Sequence, residues 1–174
     1  HVVQDKRAQG VVIGHTMDDQ AETLLINAVR GTGIRGIRGM RPNSNREPRK
    51  NGVPPLRLIR PMLRIRRSET AQFCRELEIR PRLDISNQDL TIPRNRIRSR
   101  VLPELEAINP ETVPAFARLA DLIALDVNII DRQIHQVWEE ICTRVDENSI
   151  ALNRAALCKL EPAIMYQLLR SAFI

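Results

Sequence analysis

"VVIGHTMDDQAETLLINAVRG", Val11 to Gly31, decides how this chain folds. Val11-Val12-Ile13 is too short for a helix and has no polar face, which suits a buried strand in a parallel sheet covered on both sides. Directly behind it, Ala21, Leu24, Leu25, Ala28 and Val29 share one stripe of a helix predicted from Asp18 to Arg30. Acids fill its first turn and Gly31 is placed to end it. A strand passing at once into a helix is the building unit of an α/β fold.

Beyond Gly31 the segments "RGTGIRGIRGM" and then "RPNSNREPRKNGVPP", Arg41 to Pro55, read as connector and flexible loop, with no core-forming residue before Val53. "LRLIRPML", Leu56 to Leu63, predicts a second strand. Ser68 is placed to cap a helix reaching about Leu77, its inward stripe being Thr70, Phe73, Cys74 and Leu77. This alternation predicts a parallel sheet.

After residue 108 the pattern changes. From Pro110 to Val145 one long helix or a broken pair is expected. Val113, Phe116, Leu119, Ala120, Ile123, Val127, Ile130, Ile134, Val137 and Ile141 keep helical spacing. Two short helices follow, Asn153 to Leu160 and Glu161 to Ile174. The expected architecture is therefore the back part of an α/β domain over residues 1–108 and a helical domain over 109–174. Residues 1–9 read as the tail of a helix and the last helix stops with the chain, so a piece of a longer protein is expected.

Charge is distributed unevenly along the 174 residues. The net charge of +6 hides a middle segment, residues 30–100, with 19 bases (18 of them arginine) against six acids. Arginine offers phosphate a planar two-pronged fork, so this field points to a polyanion such as nucleic acid, against the blander reading of a solvated face in an arginine-rich proteome. Cys74, Cys142 and Cys158 form no CxxC pair, which argues against a disulfide framework, a structural zinc or an iron–sulfur cluster and for buried, reduced thiols. No apolar run approaches the roughly 20 residues that span a bilayer. The expectation is a soluble, cytoplasmic protein without a membrane partner.

His15, Asp18, Asp19 and Glu22 crowd the point where the first strand hands over to the first helix. Ligands of open parallel sheets bind at that carboxyl edge. Acids there complement the helix dipole by roughly 0.3–1 kcal/mol each, and Thr16 is available as a cap, which accounts for one or two of the carboxylates. Three plus a histidine imply a cation, either Mg²⁺ or the ammonium group of an amine substrate. A second constellation is "RNRIRSR", Arg94 to Arg100. On a helix it sets Arg94 with Arg98 and Arg96 with Arg100, while Ile97 and Val101 face the core. It reads as a phosphate clamp or as a solvated face. Gly31, Gly33, Gly36 and Gly39 match neither the phosphate-binding loop GxxxxGK[ST] nor the dinucleotide pattern GxGxxG.

Taken in order, "GHTMDDQAETLLINAVRGTGIRGIRGM", "LRLIRPML" with "RRSE", and "LDISNQDLTIPRNRIRSRVLPEL" resemble the tRNA(Ile)-lysidine synthetase family of PP-loop ATP pyrophosphatases, over about residues 10–110. The resemblance implies a Rossmann-like ATP-binding domain followed by tRNA-holding helical domains. It also implies use of ATP, with Mg²⁺, to adenylate carbon 2 of the wobble cytidine of an isoleucine tRNA with a CAU anticodon. The amine of free L-lysine then displaces AMP. On this resemblance Asp19 and Glu22 hold the lysine, and His15 and Asp18 lie beside the ATP phosphates, Asp18 touching the metal. Arg94, Asn95 and Arg98 face the adenylate, and Arg60, Arg64, Arg96 and Arg100 meet tRNA. A homodimer is compatible with it. The family's SGGxDS loop, which grips the phosphates, is not in this sequence, so the piece taken alone is expected to be inactive. Another PP-loop tRNA-modifying ATPase, such as a thiolase, and a non-enzymatic RNA-binding module are the alternatives. The missing cysteine pairs weigh against the first and the three carboxylates against the second.

Overall fold

A computed structural model of the chain describes residues 8–46, 55–82, 84–146 and 149–172. Two compact units divide it, His1–Ile123 and Ala124–Ile174. The change of sequence pattern after residue 108 would place the boundary earlier.

The first unit holds a three-stranded sheet of β1 (Val11–Val12), β2 (Asn43–Arg46) and β3 (Leu56–Ile59), in the order β1-β3-β2. β1 runs parallel to β3, with Val11 opposite Leu58 and Val12 opposite Ile59. The Ile13 N–H extends the ladder by donating to the Ile59 carbonyl at 2.8 Å. This is the parallel pair that the two apolar runs predict, although β3 stops short of Leu63 because Pro61 has no N–H for a ladder. β2 lies inside the stretch expected to be loop. It pairs antiparallel to β3, from Asn43 opposite Ile59 to Arg46 opposite Leu56. Its sequence, "NSNR", carries no apolar signature, because an edge strand can be held by backbone pairing alone. Val53 lies outside the described residues. The expected cover on both faces is not met: Val12 is 66% exposed.

Helix α1 (Met17–Val29) follows β1 as expected and closes at Gly31, whose φ of +68° is the left-handed turn that ends helices. Ala21 and Leu24 are buried, but Ala28 and Val29 are exposed. Only the first turns have apolar partners, since Ala21 clusters with Leu102 and Val113 alongside Met17, Leu25, Ile97 and Phe116. The glycine-rich connector contains a short helix, α2 (Ile34–Ile37), and is fastened onto α1. The Gln20 side chain accepts from the Met40 N–H at 2.7 Å and donates to the Met40 carbonyl at 3.1 Å. Gly39 has φ +66°, and a Cβ there would stand 2.7 Å from Leu24 Cδ1.

α3 (Arg67–Glu76) starts ahead of the expected cap, Ser68. Arg66 precedes it, its N–H donating to Glu69 Oε2 at 2.6 Å. Phe73 and Leu77 are exposed, and Thr70 and Cys74 only half-buried, so the expected inward stripe is corrected. The helix is tied down through Arg66 and Arg67 at its start rather than along its side.

The "RNRIRSR" segment is helical but interrupted. α4 (Pro93–Arg96) passes through a π turn, Ile97–Val101, into α5 (Leu102–Ile108). The Leu102 N–H reaches back five residues to the Ile97 carbonyl. One extra residue in the turn moves the inward position from Val101, which is exposed, to Leu102, which is buried.

α6 (Thr112–Ile141) is the long helix the apolar spacing predicts. Its buried apolar residues Val113, Ala120, Val127, Ile134 and Ile141 recur every seventh position, and Leu119 is exposed. It ends at Ile141 rather than Val145. Cys142–Val145 is a strand, β4, paired antiparallel with β5 (Ile150–Leu152), so the second unit carries a hairpin beside α7 (Arg154–Leu157) and α8 (Pro162–Ala172). β-Branched Thr143 and Val145 favour the strand once the helical stripe has run out of partners. The core of this unit is Ile134, Ile141 and Leu168, with Trp138, Leu152 and Ile164 against it. All three cysteines are free, Cys74 and Cys142 half-buried and Cys158 exposed, which corrects the expected burial. No helix among the described residues is long and apolar enough to cross a membrane.

Candidate functional site

The first turn of α1 organises the site. The Thr16 N–H and hydroxyl both donate to Asp19 Oδ2 at 2.8 Å, so Asp19 closes the helix start from its third position. One helical turn further on, Glu22 is wholly buried, with no exposed surface at all. A carboxylate removed from water costs several kcal/mol unless it is ion-paired and hydrogen-bonded.

Arginines from two other segments meet that demand. Arg98 takes Glu22 in a fork, Nε donating to Oε1 at 2.7 Å and Nη2 to Oε2 at 3.1 Å. Arg67 bridges the two acids, Nη1 donating to Glu22 Oε1 and Nη2 to Asp19 Oδ1, both at 3.1 Å. Arg94 Nε stands 3.0 Å from Glu22 Oε2. That N–H is not aligned for a hydrogen bond and has no other partner. Arg94 Nη2 instead donates to Thr23 Oγ1 at 2.8 Å. Asp18 accepts from Arg66 Nε and Nη2, each at 3.3 Å, and from the Arg67 N–H at 2.7 Å. Arg66 Nη2 also reaches Glu106 Oε1 at 2.8 Å. Four carboxylates, of Asp18, Asp19, Glu22 and Glu106, are thus matched by four guanidiniums.

The electrostatics follow from this layout. Burial would raise the Asp19 carboxyl, but the hydrogen bonds from Thr16 and the charges of Arg67 and Arg94 outweigh it and hold it below the usual carboxylate range. The hydrogen-bonded Glu22 carboxylate raises the Arg98 guanidinium despite burial. His15 is pushed below the ordinary histidine range chiefly by burial, with Arg60 and Arg94 adding to the effect and Asp19 and Glu22 opposing it. Arg60 Nε donates to His15 Nδ1 at 3.2 Å.

The structure therefore brings His15, Asp18, Asp19, Glu22, Arg94 and Arg98 into one cluster. Asn95 is buried beside it, but both its amide hydrogens go to a neighbouring loop, to the carbonyls of Ser86 at 2.7 Å and Asp89 at 3.0 Å. Arg96 and Arg100 are exposed, and Arg64 forms an exposed pair with Asp121 at 2.9 Å. Arg66, Arg67 and Glu106 are cluster members that sequence reasoning missed. The signal was present in "RRSE": two arginines at a helix start oppose the helix dipole, so acids from elsewhere have to face them.

One expected contact is corrected. Asp18 was to touch magnesium, yet its carboxylate is taken by N–H donors, and no three histidines, cysteines or acids among the described residues are arranged to hold a metal ion. These residues do not fit Mg²⁺ as they stand. They do fit an anion, because Arg67, Arg94 and Arg98 keep 35%, 36% and 29% of their side-chain surface open around one buried acid.

A tRNA(Ile)-lysidine synthase from Dehalococcoides mccartyi is 39% identical over 160 residues, which is 92% of this chain and 33% of that protein. One from Nostoc sp. is 39% identical over 140 residues, 80% of this chain and 39% of the relative. One from Leifsonia xyli is 34% identical over 164 residues, 94% of this chain and 46% of the relative. The chain thus spans between a third and a half of the length of these curated relatives. Among solved structures, the U34-tRNA thiolase NcsA from Methanococcus maripaludis with its [4Fe-4S] cluster aligns with a TM-score of 0.46 at 19% identity, over 71% of this chain and 39% of the other. A family model described as PP-loop domain matches residues 1–105, more than half of the sequence and every residue of the carboxylate–arginine cluster except Glu106. By that match the chain belongs to the PP-loop domain family.

Proposed function

We propose that this chain carries the lysine-accepting part of an ATP-dependent tRNA ligase. In this reading carbon 2 of the wobble cytidine of a CAU-anticodon isoleucine tRNA is adenylated, and the amine of free lysine then displaces AMP to give lysidine. The observation that carries it is the collar of Arg67, Arg94 and Arg98 on the fully buried Glu22, with Asp19 alongside. A site that only bound phosphate would gain nothing from burying acids among its arginines. One that must take a phosphoanion and an ammonium ion in turn needs both signs of charge in contact.

The residues divide the work by their charge. Arg94 and Arg98 bring guanidinium forks to the phosphate of the adenylated intermediate, where charge develops as AMP leaves, and fixed cations at that position lower the barrier. As guanidiniums turn to the phosphate, Asp19 and Glu22 accept the lysine ammonium in their place. Asp19, held below the usual carboxylate range, stays anionic and is a poor proton acceptor. Its part is to hold and orient the cation, with Glu22 beside it. Exposed Arg96 and Arg100, with Arg64, meet the tRNA backbone.

Incorporation of labelled lysine into isoleucine tRNA by the full gene product, with ATP, tests this reading. Incorporation that requires both ATP and the CAU anticodon is expected. Tight tRNA binding without incorporation would favour an RNA-binding module instead.

A further inference from the structure

Arg60 and His15 stand side by side at the carboxyl edge of the paired parallel strands. The register that sets Val12 opposite Ile59 delivers His15 from one strand and Arg60 from the other. Arg60 is held at several points. Its N–H donates to the Pro42 carbonyl at 2.8 Å, and its Nη1 donates to the Arg41 carbonyl and to Ser44 Oγ, both at 2.9 Å. Its Nε–H donates to His15 Nδ1 at 3.2 Å.

A guanidinium has hydrogens to give and no lone pair to receive them. The His15 nitrogen facing it must therefore present a lone pair, so in the neutral ring the single proton sits on Nε2. No hydrogen bond is made by that Nε2–H among the described residues. From this geometry we propose that Arg60 is a positioning residue, which locks His15 as the Nε2–H tautomer and so makes it an outward-facing hydrogen-bond donor for a phosphate oxygen. The phosphate part rests on the ligase reading above. The tautomer part does not.

The arrangement explains why an arginine from the basic middle segment turns inward. A free water could accompany either tautomer by turning, since it both donates and accepts, whereas a guanidinium anchored by the Arg41 carbonyl and Ser44 can only donate and enforces one tautomer. The charged groups around His15 are Asp19, Glu22, Arg60 and Arg94. None but Arg60 is hydrogen-bonded to the ring.

Long-range ¹H–¹⁵N spectra of the full gene product labelled at histidine nitrogens test this directly. Wild type at pH 7.5 should show His15 with a bare Nδ1 and a protonated Nε2, identified by its loss in His15→Gln. Arg60→Met should give a mixture of tautomers, and Arg60→Lys should restore much of the wild-type pattern by keeping a donor. A protonated Nδ1 in wild type, or an unchanged spectrum in a folded Arg60→Met, would overturn the proposal. Inorganic pyrophosphate added to wild type should move the Nε2–H proton downfield, and the move should be at least halved in Arg60→Met. If the tautomer is set by Arg60 but pyrophosphate leaves Nε2–H still, the positioning role stands and the phosphate reading of the site fails.

Discussion

Arg98 grips Glu22 end-on, with Nε 2.7 Å from one carboxylate oxygen and Nη2 3.1 Å from the other, although 76 residues separate them in the chain. The pair joins α1 to the π turn, and the wholly buried Glu22 carboxylate depends on guanidiniums for its solvation, whereas Arg98 keeps part of its surface open. Leaving a buried charge uncompensated costs about 3–5 kcal/mol. Arg98→Met takes the forked partner from Glu22 while Arg67 and Arg94 still face it, and should therefore lower the unfolding free energy by about 2–3 kcal/mol. Denaturant melts should show it as a lower midpoint with little change in slope.

Asp19→Ala separates holding lysine from holding RNA. Lysine transfer should be lost while tRNA affinity stays within about twofold, because the variant touches no exposed arginine of the proposed backbone contacts. The same change removes the acceptor for Thr16 and should cost about 1 kcal/mol of stability. Asp19→Asn keeps the shape and separates the two effects: normal turnover in that variant would contradict the ammonium role.

RNA affinity should respond to the exposed Arg96 and Arg100. Arg96→Ala with Arg100→Ala should weaken tRNA binding and flatten the plot of log affinity against log salt by about 1.5 units, the value for two lost phosphate contacts. Filter binding between low and moderate salt measures it.

Stability should fall on mild acidification. The folded chain holds His15 below its ordinary value of about 6.5. As pH drops through that ordinary value, the unfolded chain takes up a proton that the folded one refuses. The contribution is therefore full above about pH 6.5 and is lost progressively as pH falls toward the depressed folded value. Asp19 acts in the same direction at lower pH: its contribution is present above the ordinary aspartate value and lost as pH falls through the folded one. Melts of wild type and His15→Gln between pH 7.5 and 5 should converge as pH drops.

Gly39→Ala should destabilise by at least about 1 kcal/mol, since φ at that position is +66° and the added carbon would meet Leu24 and Gln20. Thermal melting reads the loss. Gly14, where an added Cβ meets nothing within 4 Å, is the control.

What was legible in the sequence follows from which forces act locally. The Val11–Ile13 strand, the α1 helix and its end at Gly31 were visible because periodicity and backbone conformation are properties of neighbouring residues. The carboxylates at 18, 19 and 22 were visible as a surplus over what capping needs. β2 was not, because an edge strand of Asn and Ser is chosen by the strand beside it. Arg67 was not, since its worth lies in bridging Asp19 and Glu22 from 45 and more residues away. Nor was the exposure of Val101, because no spacing rule announces a π turn.

That turn, Ile97–Val101, gives the helical run two independent phases. Each residue of an α-helix advances the side-chain direction by about 100°, so an uninterrupted helix would tie the aim of Arg94 and Arg98 to the packing of Leu102 and everything after it. The inserted residue works like a slipped tooth between two gears. Upstream, the rotation is chosen by what Glu22 requires; downstream, by what Val113 and Ala21 require. Deleting one residue from the turn would engage the gears again, and either the arginines or the leucine would point the wrong way.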